Sequence, residues 1–130
     1  MIKKKVIEDS VSSISSIGNI SDEKVINVAK FLVDNFALNV IIYDVQNKTP
    51  FVSYYIVASS KSDFRLKKLI QDAKEALVKN NFNIDHIEGK NKSKWILIDA
   101  KDLVIQLFTK EEREHVKFDE LYLDCNRMVL

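Results

Sequence analysis

Apolar residues recur along this chain at two different periods, and the alternation between them predicts a helix and sheet fold. Val25, Val28, Ala29, Leu32 and Phe36 stand three or four apart after Ser21, Asp22 and Glu23, which predicts a helix capped by Ser21 and running to about Phe36. Asn39–Gln46 and Phe51–Ser59 are rich in β-branched and aromatic residues on either side of an Asn47-Lys48-Thr49-Pro50 turn, so they read as an antiparallel pair. Both runs are nearly continuous in apolar residues, the mark of strands covered on two faces. Ser62 and Asp63 then open a second helix to about Asn81, with Phe64, Leu66, Leu69, Ile70, Ala73, Ala76 and Leu77 as its apolar stripe.

A short strand is expected within Asn83–Glu88, followed by a hairpin of Lys94–Asp99 and Leu103–Phe108. Period-2 geometry puts Trp95, Leu97 and Asp99 on one face of the hairpin and Ile96 and Ile98 on the other. Asp99 and Asp102 are read as bracketing a two-residue turn, Ala100-Lys101, where their side chains serve local backbone donors. One or two short helices close the chain across Lys110–Asn126. The fold class is therefore α/β (α+β), with a mixed five-stranded sheet flanked by helices. Residues 21–130 form one domain, and residues 1–20, basic and then serine-rich, form an N-terminal extension of unassigned role.

Composition narrows the function. With 130 residues, 46% hydrophobic and 30% charged, the chain has the size and apolar mass of a single core. A net charge of +1 argues against a protein that coats nucleic acid. One cysteine, Cys125, excludes an intramolecular disulfide, and the absence of a secretory or membrane-spanning stretch leads us to expect a cytoplasmic protein with no membrane partner. Charge is unevenly placed. Lys61, Arg65, Lys67, Lys68, Lys74 and Lys79 outnumber Asp63, Asp72 and Glu75 around the second helix, whereas Glu111, Glu112, Glu114, Asp119, Glu120 and Asp124 outnumber the bases of the C-terminal segment.

Catalytic signals are weak. Gly18 and Gly89 are isolated, so no Walker-type or dinucleotide loop is present. Asp44, Asp99 and Asp102 sit in or beside predicted strands and define the best enzyme reading, a magnesium-dependent nucleotidyltransferase-like site. Their spacing matches no metal motif, and Asp44 is alone on its strand. His86 and His115 lie in different elements, without cysteine or aspartate at ligand spacing, so no metal or other cofactor is expected. Trp95 follows a polar run, Lys90 to Lys94, which places it at the rim of the sheet, and an aromatic anchor beside a polar rim is typical of a protein interface.

The order D-V-Q (Asp44 to Gln46), Y-Y-I-V-A-S (Tyr54 to Ser59), E-G (Glu88, Gly89), S-x-W-I-L-I-D (Ser93 to Asp99), D-L-V-I (Asp102 to Ile105) and F-x-x-E-x-R (Phe108 to Arg113) resembles the Iojap/RsfS family of ribosomal silencing factors. The likeness spans about residues 22 to 124. It implies a non-enzymatic protein of nucleotidyltransferase-like topology that lacks the catalytic loop. It also implies binding to the large ribosomal subunit through its protein numbered fourteen, steric blocking of subunit joining, and repression of translation when nutrients fall. By position, the contact surface would hold Trp95, Leu97, Asp99, Lys101, Asp102 and Gln106, and lysines of the second helix would add attraction to rRNA phosphates. The family pattern carries glycine where this chain has Lys101 and histidine where it has Gln106. Either the Lys101 turn is not a primed two-residue turn, or its backbone is strained. A homodimer with Trp95 in the self-interface is the remaining alternative.

Overall fold

The computed structural model describes residues 20–89 and 93–130, so the expected extension lies outside the described residues except for Ile20, which is buried in the core. The chain runs α1 (Glu23–Asp34), β1 (Leu38–Asp44), β2 (Tyr54–Ser60), α2 (Asp63–Lys79), β3 (His86–Glu88), β4 (Trp95–Ala100), β5 (Leu103–Thr109), α3 (Lys110–Val116), a 3-10 turn (Phe118–Tyr122) and β6 (Arg127–Val129). One sheet of six strands has the order β3-β4-β5-β2-β1-β6. Only β2 and β5 pair in parallel; the other neighbours are antiparallel. The sixth strand, absent from the sequence reading, spans three residues, too few to show a period.

α1 and α2 lie on one face. α1 turns Val25, Val28, Ala29 and Leu32 inward, and α2 turns Leu66, Leu69, Ala73, Ala76 and Leu77, against Ile42, Ile56, Ile98, Ile105 and Leu107 of the sheet. The opposite face carries Tyr43, Val57 and Phe108 under Phe118 of the 3-10 turn. β5 is buried at every position, as a central strand with two covers requires, Gln106 and Thr109 included.

Local chemistry moves several expected boundaries. Asp22 rather than Ser21 caps α1, its Oδ1 accepting from the Val25 amide at 3.2 Å, while Ser62 caps α2 as expected through the Arg65 amide. α1 ends at Asp34, so Phe36 leaves the stripe and stands 80% exposed with φ +71°. Phe64 also leaves the stripe: at about 100° per residue it stands opposite the buried Ala73, while Leu66 in the same turn is buried.

The β4–β5 register pairs Ala100 with Leu103, so the turn is Lys101-Asp102, one residue later than the sequence suggests. Asp99 does serve it, accepting from the Lys101 amide at 2.8 Å. Lys101 has φ +71°, a left-handed conformation that costs an L-residue about 1 kcal/mol. The turn is therefore strained. Lys101→Gly is expected to raise stability by about 0.5–1 kcal/mol, since glycine removes the clash but adds unfolded-state freedom. Thermal unfolding checks this, with a rise of a few degrees expected and a fall contradicting the strain.

Candidate functional site

Trp95 opens β4 on the face away from α1 and α2 and is 40% exposed. Its indole stacks on Phe108, its cross-strand partner, with centroids 4.9 Å apart, and meets the edge of Phe118 at 5.9 Å. Nε1 donates to Gln106 Oε1 at 2.8 Å. That bond explains the burial of Gln106 in an otherwise apolar strand, because its amide has a partner one rung from Leu97, to which it is paired. Trp95 is thus fixed from below and from the side, leaving one part of the ring open to solvent.

The aromatic bed extends beyond the hairpin. Phe118 touches Phe108, Tyr55 and Tyr122, and Tyr122 touches Tyr43 and Tyr55. Burial, then the neighbouring Tyr55, pushes the Tyr122 phenol up to about 12, so it stays neutral in the physiological range. The same turn leaves Leu121 and Leu123 exposed, at 63% and 64%. A rigid aromatic floor beside open apolar side chains is what a protein interface uses.

A polar clamp holds this turn to the sheet. Arg113, 7% exposed, gives Asp119 a two-point bond, Nε to Oδ2 at 2.8 Å and Nη2 to Oδ1 at 3.0 Å. Its Nη1 donates to the Asn39 carbonyl at 2.7 Å and to Ser59 Oγ at 3.0 Å. Asn39 can face Arg113 because β1 breaks register between Leu38 and Ile41, with Asn39 at φ +49°, an irregularity that re-aims the carbonyl. Tyr43 donates to Asp119 Oδ1 at 2.6 Å. Burial pushes the Asp119 carboxyl up, but the Arg113 and Tyr43 hydrogen bonds outweigh it and hold the group below the usual carboxylate range. Burial, then Asp119, pushes the Tyr43 phenol far up.

The residues expected at the contact surface form two groups. Trp95, Leu97 and Gln106 adjoin on the aromatic face, whereas Lys101 and Asp102 lie in the turn at the far end of β4, about 20 Å from Trp95 at strand rise. Asp99 shares the face of Trp95 but belongs to the turn group through its bond to Lys101. The Asp102 carbonyl accepts from the Ser53 and Tyr54 amides and ties the turn to β2.

The proposed metal set of Asp44, Asp99 and Asp102 is not brought together. β2 and β5 lie between the strands of Asp44 and Asp99, a separation of about 14 Å at normal strand spacing. Cross-strand pairing instead adds Asp99 to the neighbouring Asp85 and Glu88 around His86, contrary to the expectation that no aspartate stands at ligand spacing from it. Nδ1 is 2.9 Å from Asp85 Oδ2 and 3.7 Å from Asp99 Oδ2, and Nε2 is 2.8 Å from Glu88 Oε2. Asp85, His86 and Asp99 are the group among the described residues with the spacing to hold a metal ion. Both ring nitrogens are engaged by carboxylates, and the Asp85 bond, then the Glu88 bond, raises the affinity of the imidazole for its proton.

The sign for stability follows directly. A raised folded-state value means the imidazolium supports the β3–β4 edge fully below the ordinary histidine range, and the support is lost as pH rises through the elevated value. An NMR titration is expected to place the His86 midpoint above that of a free histidine, and Asp85→Asn to lower it. A midpoint indifferent to Asp85→Asn would contradict the assignment. Sequence reading misses this group because Asp99 reaches His86 only through the β3–β4 register.

Comparison with known proteins adds a third line. The model of a family described as "Ribosomal silencing factor during starvation" matches residues 19–130. The ribosomal silencing factor RsfS of Bacillus subtilis (strain 168) is 23% identical over 92 residues, covering 71% of this chain and 78% of that protein. The factor of the same name from Halalkalibacterium halodurans is 22% identical over 106 residues, covering 81% and 91%. A crystal structure of a Chromobacterium violaceum protein superposes with a TM-score of 0.70 at 25% identity, covering 77% of this chain and 83% of that one.

Proposed function

The chain belongs to the RsfS family of ribosomal silencing factors, and from that premise we propose that it binds the large ribosomal subunit through its protein numbered fourteen and sterically blocks joining of the small subunit. Family membership makes it a ribosome-associated silencing protein; the partner, the face and the mode of action are our reading. The observation that carries it is Trp95, held by Phe108, Phe118 and Gln106 yet 40% exposed, on a face whose neighbouring turn leaves Leu121 and Leu123 open.

The mechanism needs affinity and bulk rather than chemistry. A prefixed indole loses little side-chain freedom on docking, so most of its apolar area counts toward binding. Glu120 on the turn and Glu111 and Glu112 in the first turn of α3 favour a basic partner surface and speed encounter with it, Asp119 and Asp124 being paired with Arg113 and Lys48. Asp99, Lys101 and Asp102 at the other end of β4 set the outer limit of the contact. The site of action is the cytoplasm, where subunits join, and among the described residues no helix is long and apolar enough to cross a membrane.

Co-sedimentation with separated subunits tests the reading. The chain is expected to pellet with large and not with small subunits; equal recovery with both, or with neither, removes the proposed partner. Light scattering on the free chain tests the homodimer reading, since a self-interface through Trp95 would compete with the subunit.

A further inference from the structure

α2 presents a second surface that silencing by steric block does not use. Phe64 is 83% exposed. Phe64, Lys67, Gln71 and Lys74 recur at positions i, i+3, i+7 and i+10 and so share one helix face, where they line a groove of about 790 Å³. Lys61 and Arg65, though near in sequence, line a separate groove with Phe36 on another side of the helix. Lys68 and Lys79 are paired with Asp72 and Glu75, but among the described residues Lys67 and Lys74 have no carboxylate partner. Asp63 is the carboxylate lining the groove, against Lys67 and Lys74.

We propose that this face of α2 binds single-stranded RNA, with Phe64 stacking on an unpaired base and Lys67 and Lys74 neutralising its phosphates. A solvated charged face accounts for the lysines but not for a bare benzyl ring among them. Cations and an open π face together fit a polyanion that carries its own rings. The stretch from Phe64 to Lys74 measures about 15 Å along the helix axis, enough for more than one nucleotide. The groove is closed on its sheet side by Ser93 and Ile96, beside Trp95 on β4, so RNA in the groove and a protein on the Trp95 face would meet at one end of the sheet. Resting on the ribosomal reading, the RNA is an exposed strand of large-subunit rRNA next to the protein contact. An acidic peptide would satisfy the lysines without engaging the ring.

The test uses the full chain, a fluorescein-labelled 12-nucleotide single-stranded RNA in anisotropy titrations at 50 mM salt, and pelleting with large subunits. Phe64→Ala is expected to weaken RNA binding about tenfold. Lys67→Gln combined with Lys74→Gln is expected to flatten the plot of log affinity against log salt by about 1.4, two single-strand phosphates' worth. Both sets of side chains are exposed, and unchanged circular dichroism confirms the fold. Pelleting of the wild-type chain that neither variant weakens, with RNA binding equally unmoved, overturns this inference and leaves the ribosomal reading standing. Failure of the wild-type chain to pellet overturns the ribosomal reading and the assignment to rRNA together. Binding of a glutamate decamer as tight as that of the RNA, and indifferent to Phe64→Ala, shows an acidic-protein site and also overturns the inference.

Discussion

Trp95→Ala is expected to weaken binding to the large subunit by about thirtyfold or more, corresponding to the ~2 kcal/mol of a central aromatic anchor. The expectation rests on what holds the ring. Its stack on Phe108 and its bond to Gln106 fix the indole before a partner arrives, so truncation removes both contact area and preorganisation. It also leaves the Gln106 side chain without its donor, which lowers stability by about 1–3 kcal/mol. Trp95→Phe separates the two effects, since it keeps a ring over Phe108 but cannot donate to Gln106. Binding of Trp95→Phe should fall between that of wild type and Trp95→Ala at a temperature where circular dichroism shows all three folded. Wild-type affinity in Trp95→Ala would remove the anchor.

Arg113→Ala is expected to be the most destabilising single change, costing about 3–5 kcal/mol, because it strips a buried ion pair of one partner. Asp119, the Asn39 carbonyl and Ser59 Oγ all lose a donor at once. The melting temperature should fall by roughly 15 °C for a domain of this size. Arg113→Lys keeps the charge but not the planar fork, so it should recover only part of the loss. The pH dependence gives an independent check. Asp119 has a depressed carboxyl, so its contribution is present above the ordinary carboxylate range and lost as pH falls through the lower folded value. Wild type should therefore lose stability in acid more steeply than Arg113→Ala. Parallel acid limbs would show that the clamp is not the cause. Because the clamp seats Phe118 and Tyr122, Arg113→Ala should also weaken subunit binding without touching the exposed face.

Much of this architecture is legible in the residues because burial on two faces leaves a continuous apolar run. Leu103 to Phe108, interrupted only by Gln106, announces its central position in that way, and Ser62 announces the start of α2 by its capping chemistry. Asp22 and Ser21 are both good caps, and only geometry separates them. Asp99 and Asp102 are both turn residues, so the turn sits one residue from where symmetry between them suggests. Phe36 and Phe64 are exposed for different reasons: α1 ends before Phe36, and Phe64 lies on the opposite side of α2 from its buried residues. The contact surface is legible only in part. Trp95 stands out by its polar lead-in, and Gln106 through the family pattern. Arg113 and Asp119, by contrast, close on Asn39 and Ser59, far away in sequence, through an irregular strand pairing. The aromatic cover supplied by Phe118 and Tyr122 has a local signal, apolar residues three and four apart after an acidic helix, but nothing in it says which face of the sheet they meet.

A subunit-joining assay measures the central claim most directly. Purified small and large subunits are mixed at the magnesium concentration that favours assembly, with increasing amounts of the chain, and resolved on a density gradient. The account predicts that assembled ribosomes fall as the chain rises, levelling off at one chain per large subunit, and that Trp95→Ala needs about thirtyfold more protein for the same effect. Full assembly in the presence of chain bound stoichiometrically to the large subunit would contradict it.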